Sequence, residues 1–279
     1  MGSANAWIAG SYQSDFARNY AREGLEISDM VAEAVAGTLE NARIGPEDVE
    51  SIHVGNAFGQ LFTGQGQLGA MPATVEPRLW GKPAARHEAA CASGSVATLA
   101  ATAEIEAGRY DCILVLAVEQ ERNVPGKDAP KHLGTAAWIG HEGQDATFMW
   151  PYMFSQLADE YERRYGLDNQ HLHAIAELNM RNARANPLAQ TRTWSFGTAG
   201  LPLQPKLDRS RDERYVFPHV RRVVTDAFRR AEVADVRGLD GIETHDCFSM
   251  SEYMAIDHFG ITEPGESWKA IENGELERD

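Results

Sequence analysis

Apolar and polar residues recur along this chain with two different periods, and the change from one to the other marks its elements. Residues 6–10 form a short apolar stretch of strand character. Over residues 27–41, Ile27, Met30, Val31, Ala34, Val35 and Leu39 fall at helical spacing with a polar face opposite, which predicts an amphipathic helix. Gly45-Pro46 ends it, and residues 49–54 read as the next strand, a β-α-β beginning. Residues 56–85 are rich in Gly and Pro and read as loop or irregular structure. Residues 93–107 are mainly Ala, Ser and Thr, with Val96, Leu99 and Ile105 among them. Side chains this small predict a helix packed closely on several sides. A turn at Gly108-Arg109-Tyr110-Asp111 leads into residues 112–118, which are apolar at every position, the pattern of a central strand in a covered parallel sheet. Residues 1–119 therefore read as one α/β layered unit.

The character then changes. Residues 120–205 contain Pro, Gly, His and Trp and two helical stretches, at about 154–165 and 171–185; they read as an excursion from the sheet, the usual place for substrate-binding structure. Residues 206–279 return to the first pattern, with a helix at 220–231 and a strand at 239–244 that ends in His245-Asp246-Cys247-Phe248. A helix at 251–259 and a polar, turn-rich tail from 260 complete them. Ile52 and Phe58 fall opposite Ile242 and Phe248 at one constant offset, which points to duplicated βα halves.

Composition narrows the function classes. The chain has 279 residues, 43% hydrophobic and 24% charged, with a net charge of −15. That is an ordinary globular composition, and its sign argues against general nucleic-acid binding or anchoring to anionic membranes. The three cysteines, Cys91, Cys112 and Cys247, lack metal-ligand spacing, and their odd number does not form a disulfide framework. The longest apolar run, 112–118, is too short to span a bilayer, and residues 1–5 lack the features of a signal peptide. A soluble protein of the reducing cytoplasm, with no membrane insertion, is the expectation. Between Arg181 and Arg222, Lys206 and eight arginines face only Asp208, Asp212 and Glu213. This local excess suits either a phosphate-bearing ligand or a solvated face with scattered ion pairs.

The candidate chemistry centres on Cys91, within Arg86-His87-Glu88-Ala89-Ala90-Cys91-Ala92-Ser93-Gly94. A cysteine between a strand end and the first turn of a helix faces unpaired backbone N–H groups and the positive end of the helix dipole, and both favour the nucleophilic thiolate. On a straight strand His87 would share the face of Cys91 but stand about 13 Å from it, so no direct hydrogen bond is expected. His171 and His173, two apart on a helix, point to different sides and make no metal site. Gly64-Gln65-Gly66-Gln67-Leu68-Gly69 lacks the strand–turn–helix setting of a dinucleotide fingerprint. No tightly bound cofactor or metal is expected.

These motifs resemble the thiolase superfamily, in particular the sterol-carrier-protein-x type of acetyl-CoA acyltransferase. Four segments carry the resemblance: Cys91-Ala92-Ser93-Gly94, then Gly108 to Asp111 with the strand to Val118-Glu119, then Asn182-Ala183-Arg184-Ala185-Asn186-Pro187, and His245-Asp246-Cys247-Phe248. It implies a layered α/β/α fold with an inserted loop domain, acyl-CoA and CoA as substrates, and a homodimer or homotetramer. It implies roles too: Cys91 as acyl-accepting nucleophile, His245 as oxyanion-hole donor, Cys247 as acid/base. Two features of the family are not found in the sequence: a hairpin region with an Asp-Gly-Ala-Ala-like motif, and the Gly-His-Pro loop whose histidine deprotonates the nucleophile. These absences point to a longer parent protein. Two alternatives remain open at this stage. One is a thiolase-fold aldolase or acyltransferase subunit that works with an OB-fold (DUF35-type) partner; the other is a non-catalytic scaffold that binds CoA esters.

Overall fold

The 27–41 periodicity forms α1 (Ile27–Ala42), with Ile27, Val31 and Val35 buried along one stripe. Its first turn is closed by the Glu26 N–H, which donates to the Asp29 carboxylate at 2.8 Å. In the computed structural model, which describes residues 6–194, 214–245 and 247–276, this helix covers a three-stranded parallel sheet. The strands are β1 (Ser51–Gly55), β2 (Ala84–His87) and β3 (Ile113–Ala117), in the order β2-β1-β3. Short helices α2 (Gly59–Thr63) and α3 (Met71–Val75) lie between β1 and β2, α4 (Ser93–Glu106) joins β2 to β3, and α5 (Ala129–Leu133) follows.

Burial corrects the sequence reading of which strand is central. Every residue of β1 is buried, whereas in β3 only Leu114 and Leu116 are. Among the described residues β3 pairs on one side only, so its apolar run is that of an edge strand covered mainly on one face. The 56–85 stretch is not simply loop either, since it holds α2, α3 and the start of β2. No apolar–polar alternation marks Ala84-Ala85-Arg86-His87; β1 recruits them by offering a register, Ile52 opposite Ala84 through Gly55 opposite His87. Residues 6–10 form no strand, and Trp7 and Ile8 are 85% and 89% exposed. Nor is α4 enclosed all round. Ala97 and Ala101 are buried against the sheet, while Leu99 is 64% exposed.

The chain forms two compact units, Met1–Glu142 with Leu188–Gln190, and Gly143–Pro187 with Thr191–Asp279. The first holds the sheet and a core of Val31, Ile52, Val54, Leu68, Leu79, Leu114 and Leu116. The second is helical as far as it is described: α6 (Met149–Tyr165), α7 (Asn169–Ala185), α8 (Pro218–Arg230), α9 (Ser249–Phe259) and α10 (Ser267–Glu272). Pro151 and Pro218 sit in the first turns of α6 and α8, where a missing N–H costs nothing. Tyr161, Ile175, Tyr253 and Met254 form its core. Two polar knots brace it. Buried Glu160 accepts from Arg163 at 2.7 and 2.8 Å and from Arg164 at 2.7 Å; hydrogen bonding to Arg163 leads the causes that hold its carboxyl down at about 2. Buried Asp257 accepts from the Tyr161 hydroxyl at 3.0 Å and from the Gly265 N–H at 3.1 Å.

The expected strand at 239–244 does not form, and Ile242 is 37% exposed. An isolated extended segment has no neighbour to accept its backbone hydrogen bonds, and among the described residues this unit contains no strand for it to join. The tail also differs from expectation, because Ser267 and Ala270 of α10 are buried.

Candidate functional site

The carboxyl ends of the three strands carry the polar machinery of the first unit, as in open α/β sheets generally. Asn56, fully buried just beyond β1, donates to the Val118 carbonyl at 2.6 Å and accepts from the Gly59 N–H at 3.1 Å. Arg86 donates to the Asn56 and Ala57 carbonyls at 3.0 and 2.8 Å. Glu119 accepts the Ala57 N–H, and that of Phe58 at 3.3 Å. Burial raises the Glu119 carboxyl above its ordinary value although these donors oppose it. Glu121, two residues on, is pushed up to about 7, by burial first and then by the Glu119 charge.

That shift has a sign that can be tested. A carboxyl raised by folding makes the folded state less stable once the unfolded chain ionises near 4.5, and the loss grows until about pH 7. Glu121→Gln is therefore expected to gain about 1 kcal/mol after solvent screening, a few degrees of Tm, at pH 8. At pH 4 it should gain nothing. Thermal melts of both proteins at the two pH values check this, and an equal gain at both would count against it.

Cys91 occupies a sharp turn between β2 and α4. Ala90 adopts the left-handed conformation, φ 48°, at a cost on the order of 1–2 kcal/mol for a residue with a Cβ. The neighbours hold it there. Ser93 Oγ accepts the Ala89 N–H at 2.9 Å and donates to the Ala90 carbonyl at 2.7 Å, and Glu88 accepts the Ala90 N–H at 2.7 Å. Residues Ala90–Ala92 form a single 3₁₀ turn that runs into α4, with Cys91 exposed. The helix start lies directly on β1: a Cβ on Gly55 would sit 2.7 Å from Gly94 Cα and from the Ser93 carbonyl carbon. Glycine at 55 is what lets α4 come this close.

The second unit carries the other two sequence candidates. His245 is exposed in the irregular segment before α9. Cys247, also exposed, has its Sγ 3.9 Å from Ser251 Oγ, and Phe248 stacks on Phe154 with ring centroids 4.5 Å apart. Asp246 lies outside the described residues. Cys91 thus belongs to the first unit and His245 and Cys247 to the second. Cys112 is partly buried, and burial leads the causes that raise its thiol. In the basic stretch, Lys206, Arg209 and Arg211 lie outside the described residues. Arg214 pairs with Glu263, and Arg221 donates to the His258 carbonyl at 3.0 Å, so those two charges serve the fold. His171 lies 3.1 Å from Glu272, and among the described residues no cluster of His, Cys, Asp or Glu could hold a metal. No described helix is long and apolar enough to cross a membrane.

One cluster escaped the sequence reading. His53 on β1 lies between His87 of β2, 2.8 Å from ring nitrogen to ring nitrogen, and Glu104 of α4, at 3.0 Å. A signal was present: Ser51 and His53 are polar at alternate positions of a strand whose other residues include Ile52 and Val54. The partners are 34 and 51 residues away in sequence, beyond the reach of any local pattern.

Comparison with known proteins agrees with this layout. The family described as "Thiolase, N-terminal domain" matches residues 7–193. An acetyl-CoA acetyltransferase of Methanothermobacter thermautotrophicus is 27% identical over 88% of this chain and 75% of its own length. One from Methanocaldococcus jannaschii is 32% identical over 66% of this chain and 45% of its own. Sterol carrier protein 2 of Bos taurus is 23% identical over 91% and 56%. The chain thus spans three quarters of the first relative and about half of the other two. A solved structure described as "Ltp2-ChsH2(DUF35) aldolase" superposes with a TM-score of 0.70 at 16% identity, over 97% of this chain and 80% of that one. The fold is therefore a thiolase-like layered α/β fold. With the family match running unbroken through β1, the Cys91 turn and β3, this chain belongs to the thiolase family.

Proposed function

We propose that this chain is a thiolase-type acyl-CoA C-acyltransferase, or the nucleophile-bearing portion of one, acting on a 3-oxoacyl-CoA or making it. The observation that carries the reading is the Cys91 turn: an exposed thiol on a hydrogen-bonded, left-handed bend, at the start of a helix seated on the sheet's carboxyl end. In that setting the Cys91 sulfur attacks the thioester carbonyl of an acyl-CoA. A new carbon–sulfur bond forms, the bond to CoA breaks, and the departing CoA thiolate takes up a proton. The acyl group then passes to an incoming nucleophile, either the α-carbon of a second thioester or the CoA sulfur in the reverse direction. His245 is the candidate donor to the enolate or oxyanion that develops, and Cys247 the candidate group that exchanges the α-proton. Support for these two roles is the His-Asp-Cys-Phe motif.

The direct test is the intact mass of the protein before and after brief incubation with acetyl-CoA or acetoacetyl-CoA. The expected result is a single acyl adduct that maps to Cys91. A second reading keeps the fold and changes the reaction: an aldolase or acyltransferase subunit that needs an OB-fold partner. The likeness to a structure described as a DUF35 aldolase favours considering it. A chain inert alone but active once such a protein is added would select this reading, and tight CoA-ester binding without turnover would select a scaffold. A homodimer or homotetramer is part of the proposal, and sedimentation that shows a stable monomer would count against that part.

A further inference from the structure

Ser51, His53 and Gly55 alternate along β1 and so share one face of the sheet, the face on which α4 lies. His53 is buried, and its ring stacks on that of His87 with centroids 4.9 Å and planes 17° apart. Glu104 Oε2 accepts from His53 Nε2 at 3.0 Å and from Ser51 Oγ at 3.3 Å. Arg109 stands 3.8 Å from the other Glu104 oxygen. The proton arrangement follows from these partners. An ionised carboxylate only accepts, so His53 Nε2 carries a hydrogen. When neither ring carries an extra proton, His53 therefore accepts at Nδ1 and His87 Nε2 donates to it. The next proton enters at His87 Nδ1, and its charge is balanced through the chain by Glu104.

This chain ends beside the Cys91 turn. His87 is the register partner of Gly55, one strand spacing or about 5 Å across the sheet. Gly55 is the residue on which the backbone of Ser93 and Gly94 rests, one helical turn from Cys91. Charge at His87 is thus on the order of 10 Å from the Cys91 sulfur.

We propose that the Glu104–His53–His87 chain sets the charge beneath the start of α4: one proton taken up at His87 adds a positive charge to the helix dipole there and favours an anionic sulfur on Cys91. These are positioning residues, and the inference deepens the acyl-transfer reading of Cys91. Burial leads the causes that hold His87 below the ordinary histidine value, against the pull of Glu104. The charge is therefore absent at neutral pH and above, and it enters only as the pH falls below the ordinary histidine value.

The test measures the rate at which iodoacetamide alkylates Cys91 in the full chain from pH 5 to pH 9, mapped by mass spectrometry, for the parent protein and His87→Gln. The two profiles should coincide above about pH 8. Towards the acid end the variant should fall progressively below the parent, by up to roughly tenfold, the effect of one charge at about 10 Å in an effective dielectric near 20. Superimposed profiles would overturn the proposal, as would an offset of the same factor at every pH, which a mere displacement of the turn would produce. Should the variant not fold, imidazole ¹⁵N shifts of the parent decide: at pH 8 His87 should be the tautomer with hydrogen on Nε2 and a bare Nδ1, and the opposite tautomer would overturn the proposal. No acyl-CoA enters either measurement. A protein that acetyl-CoA fails to acylate but that shows the pH signature loses the acyl-transfer reading and keeps this one.

Discussion

On the proposed reading, replacing Cys91 with alanine abolishes acyl transfer, by about 10⁴-fold or more, while the protein stays folded and still binds acyl-CoA. The loss should be this large because the covalent path offers no substitute: without the sulfur there is nothing to hold the acyl group between the two half-reactions, and removing a nucleophile typically costs on that scale. The fold should tolerate the change. Cys91 is exposed and its side chain packs no core, while the turn around it is held by Ser93, Glu88 and backbone groups that the substitution leaves alone. Steady-state rates with acetoacetyl-CoA and CoA, beside a thermal melt and a CoA-ester binding isotherm, separate the effects. Undiminished turnover would end the reading of Cys91 as nucleophile. Lost turnover together with lost folding would show the turn to be more fragile than its hydrogen bonds imply.

The second large effect is expected from the smallest change in the sheet. Gly55→Ala adds one methyl group at the point where α4 meets β1, and that methyl would stand 2.7 Å from Gly94 Cα, Gly94 N and the Ser93 carbonyl carbon. All three are backbone atoms and cannot rotate away. Either the strand or the helix start must move, at a cost of about 2–3 kcal/mol, which is roughly 5–10 °C in Tm. Because the displaced residues adjoin Ala92 and Cys91, the rate of Cys91 acylation should fall in the same variant. Gly126→Ala supplies the control. A Cβ there meets nothing within 4 Å, and its Tm should change by less than about 1 °C. If the two variants melt alike, the close approach of α4 to β1 is not tight enough to matter.

Both predictions concern a site whose residues were readable but whose support was not. Cys91 and the helix that follows it were evident from the small-residue run, and the glycines at 55 and 94 were visible as letters. That Gly55 supports α4 followed only from the register of β1 and the path of the helix. Likewise His87 read as a residue too distant to assist Cys91 directly. Its role emerged from two partners, His53 and Glu104, that come near it only when the sheet has formed and α4 has folded back over it.

The sequence by itself determined what depends on near neighbours. The helical period of 27–41 became α1, the apolar run of 112–118 became β3, and the small-residue stretch became α4, because period and side-chain size act within a few residues of the chain. The order of motifs through Cys91 determined the family. The tertiary structure decided what depends on a partner. A strand exists only where another offers hydrogen bonds, so the unremarkable residues Ala84–His87 became β2 while 239–244, with a better strand pattern, stayed irregular. Burial follows from what covers a face, so β1 and not β3 became the central strand. The same dependence on distant partners fixed Glu104, His53 and His87 in one hydrogen-bonded line that begins at the last turn of α4.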